Sequence, residues 1–498
     1  AQRESAVSVD TTLLACIALP LLAPLLITAL HRWPNPREAV TLLTAAGLCL
    51  LVFSLYGALQ GGAMPVVRVA EPVPGLAIAF VLEPLGLLFA SLASFLWLVT
   101  SVYAIGYMRS HHEKKQTSFY SYFAIALASV MGIAFAANLF TLFIFYEVLT
   151  LSTYPLVTHA GTHAARNGGR VYLAYLLGSS VALLLLALVW TWSLTGTLDF
   201  REGGILAGTV SPAMAGVLLA LYIFGIGKAA VMPMHLWLPA AMVAPTPVSA
   251  LLHAVAVVKA GVFTVLKVVV YIFGIDFLTG VPATQWLMYI AGATILLASL
   301  VALRQDNLKL RLAWSTVSQL SYIVLCALLV TPTGIVAGGT HMVMHGFAKI
   351  TLFFCAGAIL VVTHKTRVSE LDGIGRRMPW TMTAFTLAAI SMIGVPPTAG
   401  FISKWYILLG SIESQQLVAL GIIIVSTLLN AAYFMPIVYA AFFREPATAT
   451  AHASGHKGAE APLPVLLAIT VTAAGTLALF LFPDKVLELA MLTAGAVR

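Results

Sequence analysis

Long apolar segments recur along the whole chain, and no other feature constrains its fold as strongly. Of the 498 residues, 60% are hydrophobic and only 9% are charged, whereas soluble domains average about 25% charged residues. A helix needs about 20 consecutive apolar residues to cross a bilayer. The sequence therefore predicts an all-α integral membrane protein with too little polar sequence for a soluble domain.

The lengths of the apolar segments predict 14 membrane-crossing helices, the longest of which must tilt, break or extend beyond the bilayer. These helices are predicted near residues 12–30, 39–60, 83–107, 119–137, 138–158, 171–195, 212–232, 246–272, 286–303, 311–330, 335–363, 380–410, 416–443 and 462–483. The longest polar stretch, EPATATAHASGHKGAEAP at 445–462, is expected to form a flexible surface loop.

The net charge of +8 does not indicate a nucleic-acid partner, because the basic residues follow the predicted topology. With 14 crossings the loops alternate between two sides, and most of the loop Lys and Arg residues fall on one of them. The other side, which holds both termini, has only Arg3, Arg68, Arg201, Lys485 and Arg498. Since basic loops mark the cytoplasmic side, both termini are predicted to lie outside.

Four lysines lie deep within predicted crossings, namely Lys228, Lys259, Lys349 and Lys404. A lysine at the bilayer centre costs about 2.5–3.5 kcal/mol on insertion scales, so such residues face protein or water and usually serve transport. A purely structural role is the less favoured alternative for each. A fifth lysine, Lys267, lies towards the end of its helix and is expected to extend to the interface.

Glu147 is the one carboxylate that the pattern places near the middle of a crossing, whereas Glu83 is expected at an interface. If Glu147 faces Lys228 on a neighbouring helix, each charge offsets the desolvation of the other, and the pair can exchange partners. Lys228 would then move towards Lys259, whose like charge would help to expel a proton. The alternative is a static ion pair that clamps two helices.

Histidines extend the polar pattern. In HMVMHGFAK, His341, His345 and Lys349 recur every four residues, which places them on one helix face within about 80° and over about 12 Å. Histidine takes up and releases protons near neutral pH. His253 precedes Lys259 by six residues, so it suits either a relay through the helix or a histidine bonded to a backbone carbonyl. A metal site is not predicted, because no Cys lies nearby and no carboxylate joins the stripe.

Two of the lysines lie beside interrupted apolar segments. Lys228 precedes PMHLWLPAAMVAPTP, and Lys404 follows GVPPTAGFIS. Proline removes a backbone donor, and membranes tolerate such a break only where the freed groups meet protein or water. Paired interruptions in two halves of a chain indicate the site of a transporter built on inverted repeats. Because the order of lysine and proline differs between the two, the pattern suggests a repeat without establishing it.

Four stretches resemble a known family: KAAVMPMHLWLPAAMVAPTPVSALLHAVAVVKAG, DNLKLRLAWSTVSQLSY, HMVMHGFAKITLFFCAGA and GVPPTAGFISKWYIL. They are similar to the antiporter-like subunits shared by proton-pumping NADH–quinone oxidoreductase and the Mrp-type multisubunit cation/proton antiporters. The resemblance extends over at least residues 119–410. It implies 14 helices that contain two inverted five-helix repeats, with the seventh and twelfth helices broken.

The resemblance also implies an organisation for the whole chain. Helices 1–3 would occupy residues 1–118, the first repeat (helices 4–8) 119–272, and the second repeat (helices 9–13) 273–443. Residues 444–498 would hold a loop and helix 14. A bacterial cytoplasmic membrane is the expected location.

A proton path along a row of charged residues is implied as well. Carried over position by position, the fifth-helix glutamate of the family matches Glu147 and its seventh-helix lysine matches Lys228. The eighth-helix group matches Lys259 or His253, the eleventh-helix pair matches His345 and Lys349, and the twelfth-helix residue matches Lys404. His341 joins this set through the stripe that it shares with His345.

Lysine at 404, within IGVPPTAGFISKW, makes the chain most similar to the D-type Mrp subunit. The TPVSALLHAVAVVKAG stretch is closer to the distal oxidoreductase subunit and to the A-type Mrp subunit. The implied function is proton translocation in a monovalent cation (Na⁺)/H⁺ antiporter. The expected partners are other antiporter-like subunits, small hydrophobic membrane subunits, H⁺ and Na⁺.

The alternative is a proton-pumping subunit in the membrane arm of an NADH–quinone oxidoreductase or a hydrogenase-like complex. The chain is not expected to carry a redox centre or cofactor, because Cys16, Cys49, Cys326 and Cys355 form no CxxC cluster. A stand-alone channel or scaffold is disfavoured by the density of intramembrane ionisable residues. Coupling to an anion such as bicarbonate is a further alternative.

Overall fold

The computed structural model describes residues 2–62, 64–251, 255–446 and 460–495. Most of the predicted loop at 445–462 therefore lies outside the described residues, and so does His253. The described chain is a bundle of α-helices with one small β-hairpin between the second and third helices. This confirms the predicted all-α membrane class.

The first half of the bundle ends with the helix that carries Lys259. Its elements are α1 (Gln2–Ala29), α2 (Pro34–Gln60), β1 (Val66–Val73), β2 (Leu76–Val81), α3 (Pro84–Ser110), α4 (Gln116–Ala134), α5 (Leu139–Val157), α6 (His163–Ser179), α7 (Leu185–Thr195), α8 (Pro212–Gly225), α9 (Trp237–Ala240), α10 (Thr246–Ala250) and α11 (Val257–Lys267).

The second half contains the histidine stripe and Lys404. Its elements are α12 (Ile275–Leu278), α13 (Ala283–Arg304), α14 (Leu308–Leu328), α15 (Pro332–Thr363), α16 (Ile374–Arg377), α17 (Pro379–Ile393), α18 (Ala399–Glu413), α19 (Leu417–Phe443), α20 (Leu463–Leu481) and α21 (Asp484–Thr493). Single π-helical turns at Ser180–Leu184 and Val268–Phe273 continue α6 into α7 and extend α11.

Ten helices within the described residues are long and apolar enough to cross a membrane. Two shorter apolar helices, α8 and α17, each stop where the backbone leaves the helical path. Large apolar side chains such as Leu25, Leu43 and Leu428 are exposed on the outside of the bundle, as expected for a surface that faces lipid or other subunits. The total of 14 crossings and the inverted repeats stay predictions.

The β-hairpin was not predicted. Val66–Val73 pairs antiparallel to Leu76–Val81, and the alternating residues of VVRVAEPVPGLAIAFV around a PG turn are the sequence signal for it. Two backbone hydrogen bonds hold β2 to the loop between α4 and α5: Val81 donates to Phe135 (2.7 Å), and Ala137 donates to Ala79 (2.9 Å). The hairpin is therefore fixed to the end of the bundle.

The breaks of the seventh and twelfth predicted helices are present. After α8 ends at Gly225, a single 3₁₀ turn covers Gly227–Ala229. The second break separates Ile393 from Ala399. In the described part of the predicted crossing at 246–272, α10 ends at Ala250 and α11 begins at Val257.

Two glycines permit the close contacts at the breaks. Gly394 ends α17 with φ +92°, and a β-carbon there would lie 2.5 Å from Cδ of Lys404. Gly261 of α11 packs on the 3₁₀ turn, and a β-carbon there would lie 2.3 Å from the carbonyl carbon of Lys228. Glycine is required at the first position by backbone conformation and at the second by contact distance.

Candidate functional site

Lys228 lies in the 3₁₀ turn that follows α8, and its side chain is fully buried. Its ammonium donates to the backbone oxygen of Tyr146 (3.0 Å) and to Oγ1 of Thr150 (2.5 Å). The same nitrogen lies 3.3 Å from the centroid of the Tyr146 ring. All of these contacts come from α5, so the broken helix is joined to α5 by neutral groups.

The ion pair that would form if Glu147 faced Lys228 is not present in the described part of this structure. Within the described part of the chain, neither buried carboxylate oxygen of Glu147 has a hydrogen-bond partner. The reason is helix geometry: Tyr146 and Thr150 share one face of α5, whereas Glu147 points about 100° away from Tyr146. Lys228 occupies the first face, and Glu147 is beside it without contact.

Lys259 is buried in α11, which packs directly on the turn that carries Lys228. Its Nζ lies 2.6 Å from Nδ1 of His345 on α15. Nε2 of His345 is buried and has no hydrogen-bond partner among the described residues. A lysine and an imidazole in hydrogen-bond contact can exchange one proton, since each has a protonated and a neutral form.

The predicted polar stripe on one helix is confirmed, because His341, His345 and Lys349 all lie buried on α15. The rings of the two histidines stack with centroids 5.9 Å apart. His341 joins two further helices through Ser403 Oγ on α18 and Gln319 Oε1 on α14, each at 2.9 Å.

Lys349 is bound on the opposite side of His345 from His341. Its ammonium donates to Ser315 Oγ (2.6 Å) and to the backbone oxygen of Leu312 (3.4 Å), both on α14. The nitrogen also lies 5.8 Å from the centroid of the Phe434 ring. As at Lys228, one hydroxyl and one carbonyl of a neighbouring helix bind the lysine.

Lys404 lies on α18, one turn after the second break, and is 5% exposed. It donates to the backbone oxygen of Ile393 (2.8 Å), which is the last residue of α17, and to Oγ1 of Thr427 on α19 (3.1 Å). Ile393 lies at a helix end, where carbonyl groups have no partner within the helix. The lysine therefore satisfies a carbonyl that the break has freed.

The expectation that Lys267 extends to the interface is wrong. Its side chain is fully buried, and its ammonium forms an ion pair with Glu83, which is 13% exposed. Phe200 and Tyr271 flank the ammonium with ring centroids at 4.1 and 4.6 Å. A carboxylate and two aromatic faces compensate the charge inside the protein, so the side chain has no need to extend to water.

Six of the eight predicted site residues are buried on neighbouring elements, and we call them the polar row; within it Lys259 contacts His345, and His345 stacks on His341. Its members are Lys228, Lys259, His345, His341, Lys349 and Lys404. Glu147 lies beside the row without a contact to it, and His253 is outside the described residues. Among the described residues, no group of three His, Cys, Asp or Glu side chains could hold a metal ion.

The neutral partners of the row were not predicted. Gln319 and Ser315 belong to a polar face of α14 that also contains Ser318 and Tyr322. Their spacing of three or four residues within an apolar helix is a signal that sequence reasoning could have used. Nothing in the sequence distinguishes Ser403 or Thr427 from the many serines and threonines that bond their own helix.

The comparisons with known proteins agree with this architecture. The family described as "NADH:quinone oxidoreductase/Mrp antiporter, TM" matches residues 136–430. NADH-quinone oxidoreductase subunit N of Desulforudis audaxviator (strain MP104C) is 33% identical over 428 residues, which are 83% of this chain and 84% of that protein.

A second relative is a probable K(+)/H(+) antiporter A/B subunit of Rhizobium meliloti (strain 1021). It is 30% identical over 413 residues, which are 80% of this chain but only 40% of the relative. A chain in the structure of the Mrp complex from Dietzia sp. DQ12-45-1b has the same fold. The TM-score is 0.86 at 24% identity, covering 98% of this chain and 97% of that chain.

The family match includes α5, the broken helices and the polar row, and the similarity to the first relative extends over most of both proteins. This chain therefore belongs to the family of membrane subunits that NADH:quinone oxidoreductases and Mrp antiporters share.

Proposed function

We propose that this chain is the proton-translocating, antiporter-like subunit of a multisubunit Mrp-type antiporter that exchanges H⁺ for a monovalent cation, Na⁺ being the first candidate. The polar row is the observation that carries the proposal. Packing inside a membrane does not require buried lysines, because an intramembrane charge is costly and a packed apolar side chain is not. The relative named as a probable K(+)/H(+) antiporter component supports the same activity.

The row supplies both kinds of contact that proton movement needs. Lys259 and His345 are joined by a direct hydrogen bond, along which one proton can pass. Lys228, Lys349 and Lys404 are bound by neutral oxygens, so each can lose a proton without leaving a carboxylate unpaired. Protons would therefore move in the plane of the membrane, from one broken helix to the other.

Each residue has a proposed role. Lys228 and Glu147 control the first break, Lys259 (with His253) passes the proton to His345, and Lys349 stores it. His341 connects the stripe to α18, where Lys404 controls the second break. Residues 119–272 and 273–443 are proposed to form the two inverted repeats that place the breaks in equivalent positions.

The absence of the Glu147–Lys228 contact is compatible with a switch. In this structure Lys228 is bound by Tyr146 and Thr150, which leaves the carboxylate of Glu147 available to a proton or cation. When Lys228 moves towards Glu147 instead, it moves away from α11. Two ammonium groups about 6 Å apart repel by roughly 3 kcal/mol at an effective dielectric near 20, so this exchange would change the charge that Lys259 can hold.

The second candidate is a proton-pumping subunit of a redox-driven complex. The observation in its favour is the similarity to NADH-quinone oxidoreductase subunit N, at 33% identity over 83% of this chain. The same polar row would then be driven by a partner that carries the redox centres. In both cases the proposed location is a bacterial cytoplasmic membrane with the hairpin and both termini outside.

Purification of the intact complex through a tag on this chain separates the two candidates. We expect small hydrophobic subunits to co-purify, and the reconstituted vesicles to release trapped protons on addition of NaCl, KCl or LiCl without an electron donor. Lys485→Ala is the matched control, because this lysine lies on the surface of α21 and pairs with Glu488 there (2.7 Å). Iron–sulfur partners and proton movement that requires an electron donor would instead establish the redox-driven alternative.

A further inference from the structure

A cavity beneath the β-hairpin has a volume of about 790 Å³ and opens to the hairpin side of the bundle. Its lining includes Arg68 and Glu71 of β1, together with Asn138, Asp199 and Phe200. The loops that form it are joined by backbone hydrogen bonds, including Leu139 to Leu198 (3.0 Å) and Phe200 to Ala137 (3.2 Å). It is a fixed vestibule with several charged groups in its walls.

Glu83 is one of the charged residues that line this vestibule. It lines the cavity and at the same time forms the ion pair with Lys267, whose own side chain is fully buried. Phe200 also lines the cavity and covers the ammonium of Lys267. The pair therefore has one member in contact with the vestibule and one member behind it.

Lys267 and Lys259 lie on the same helix, α11. They are eight residues apart, which corresponds to about 12 Å along the axis and an angular offset of about 80°. Lys259 is the member of the polar row that contacts His345. A single helix thus connects the ion pair at the vestibule with the centre of the row.

We propose that Glu83 and Lys267 form the port through which protons pass between the polar row and the aqueous phase on the hairpin side. A proton from vestibule water is taken up by the Glu83 carboxylate. The Lys267 ammonium gives a proton to water on the path to Lys259 and becomes a neutral amine. The protonated Glu83 carboxyl then donates its proton to this amine, which restores the ion pair. This inference rests on the proposed function, since it assigns an aqueous entrance to the same row.

A clamp between α3 and α11 is the competing role for the pair, and a double substitution distinguishes the two. Glu83→Gln with Lys267→Met removes both charges and keeps both volumes, and such replacement of a buried pair is often neutral for stability. If the pair is the port, the double variant assembles with the thermal stability of the parent, but antiport falls at least about 100-fold, as for loss of a positioned proton-transfer group. Parental antiport in the assembled double variant would overturn the proposal.

Labelling of introduced cysteines tests the port without reference to transport. Glu83→Cys and Glu71→Cys should react from the hairpin side with a membrane-impermeant charged thiosulfonate, and Thr264→Cys, fully buried on α11, should not. The unsubstituted chain with its four cysteines gives the background. If Glu83→Cys is not labelled, the port is overturned, even if the double variant fails to assemble. If Glu83→Cys is labelled but the parent shows no antiport, the result counts against the proposed function alone.

Discussion

Lys228 and Lys404 occupy similar positions at the two breaks but depend on different partners. Both are buried, Lys228 within the first break and Lys404 shortly after the second, and each donates to one backbone oxygen and one threonine hydroxyl. For Lys228 both acceptors belong to α5, an intact neighbouring helix. For Lys404 the carbonyl belongs to Ile393, at the break itself.

The two breaks also differ in whether a carboxylate lies near the lysine. Glu147 lies one residue after Tyr146 and has no hydrogen-bond partner among the described residues. Within the described α-helices from α13 to α19, Glu413 is the one Asp or Glu, and it is exposed. Lys228 therefore has a carboxylate nearby as an alternative to its neutral hydrogen-bond acceptors, whereas the acceptors of Lys404 are all neutral.

Under the proposed function, this contrast predicts two kinds of control. At the first break an alternative partner is present, so Lys228 can change contacts while the turn at Gly227–Ala229 keeps its shape. At the second break the lysine stabilises the end of α17, so a change in its charge also changes the break. The second break should thus be the more sensitive to substitution.

The largest effect is expected for Lys404→Ala. Loss of the ammonium removes the proposed gate and leaves the carbonyl of Ile393 without its donor, so we expect antiport to fall by at least about 100-fold, as for a lost proton-transfer group. Lys404→Arg keeps the charge but cannot release a proton. It should leave the complex assembled on native gels and should retain part of the transport only if charge alone suffices.

The measurement is cation-driven proton release in vesicles that contain equal amounts of assembled complex, with Lys485→Ala as the control. Parental transport by assembled Lys404→Ala would show that the contact with Ile393 is structural.

Glu147→Gln should come next. The change replaces a buried carboxyl group that has no hydrogen-bond partner among the described residues, so the free energy of unfolding should not fall. Transport should nevertheless drop by about 10- to 100-fold, because Lys228 loses its alternative partner. Thermal unfolding and antiport are measured on the same preparation. A variant that transports as fast as the parent would remove the distinction between the two breaks.

Exchange of the two groups, Glu147→Lys with Lys228→Glu, sharpens the same test. An exchanged pair can form a static bridge, yet it places a carboxylate where the row requires an amine, so the variant should assemble but should not transport. Full activity of the exchanged variant would identify the pair as a clamp.

His345→Ala should have the smallest effect of the three. His345 is the contact of Lys259, but Lys349 and His341 remain on the same face of α15, and water can occupy the vacated space. We expect turnover to slow by at most about tenfold, less than is typical for loss of a positioned proton-transfer group, with assembly intact. If turnover and its pH dependence match those of the parent, the histidine is structural.

Much of the fold was predictable because its signals are local. Apolar segments of membrane length predicted the helical class, and the GVPPTAG stretch predicted the second break. The spacing of four residues predicted that His341, His345 and Lys349 share one face of α15. The hairpin had a local signal too, the alternating residues around PG, but the lengths of apolar segments do not detect it.

The sequence by itself determined which ionisable residues lie inside the membrane, since that depends on the composition of each segment. The tertiary structure decided what each of them contacts. The partners are distant along the chain: 78 residues separate Lys228 from Thr150, 86 separate Lys259 from His345, and 184 separate Lys267 from Glu83. Helix periodicity specifies a face but not the neighbour packed against it, so Lys228 could meet Thr150 in place of Glu147. For the same reason, Lys267 could pair with Glu83 inside the protein.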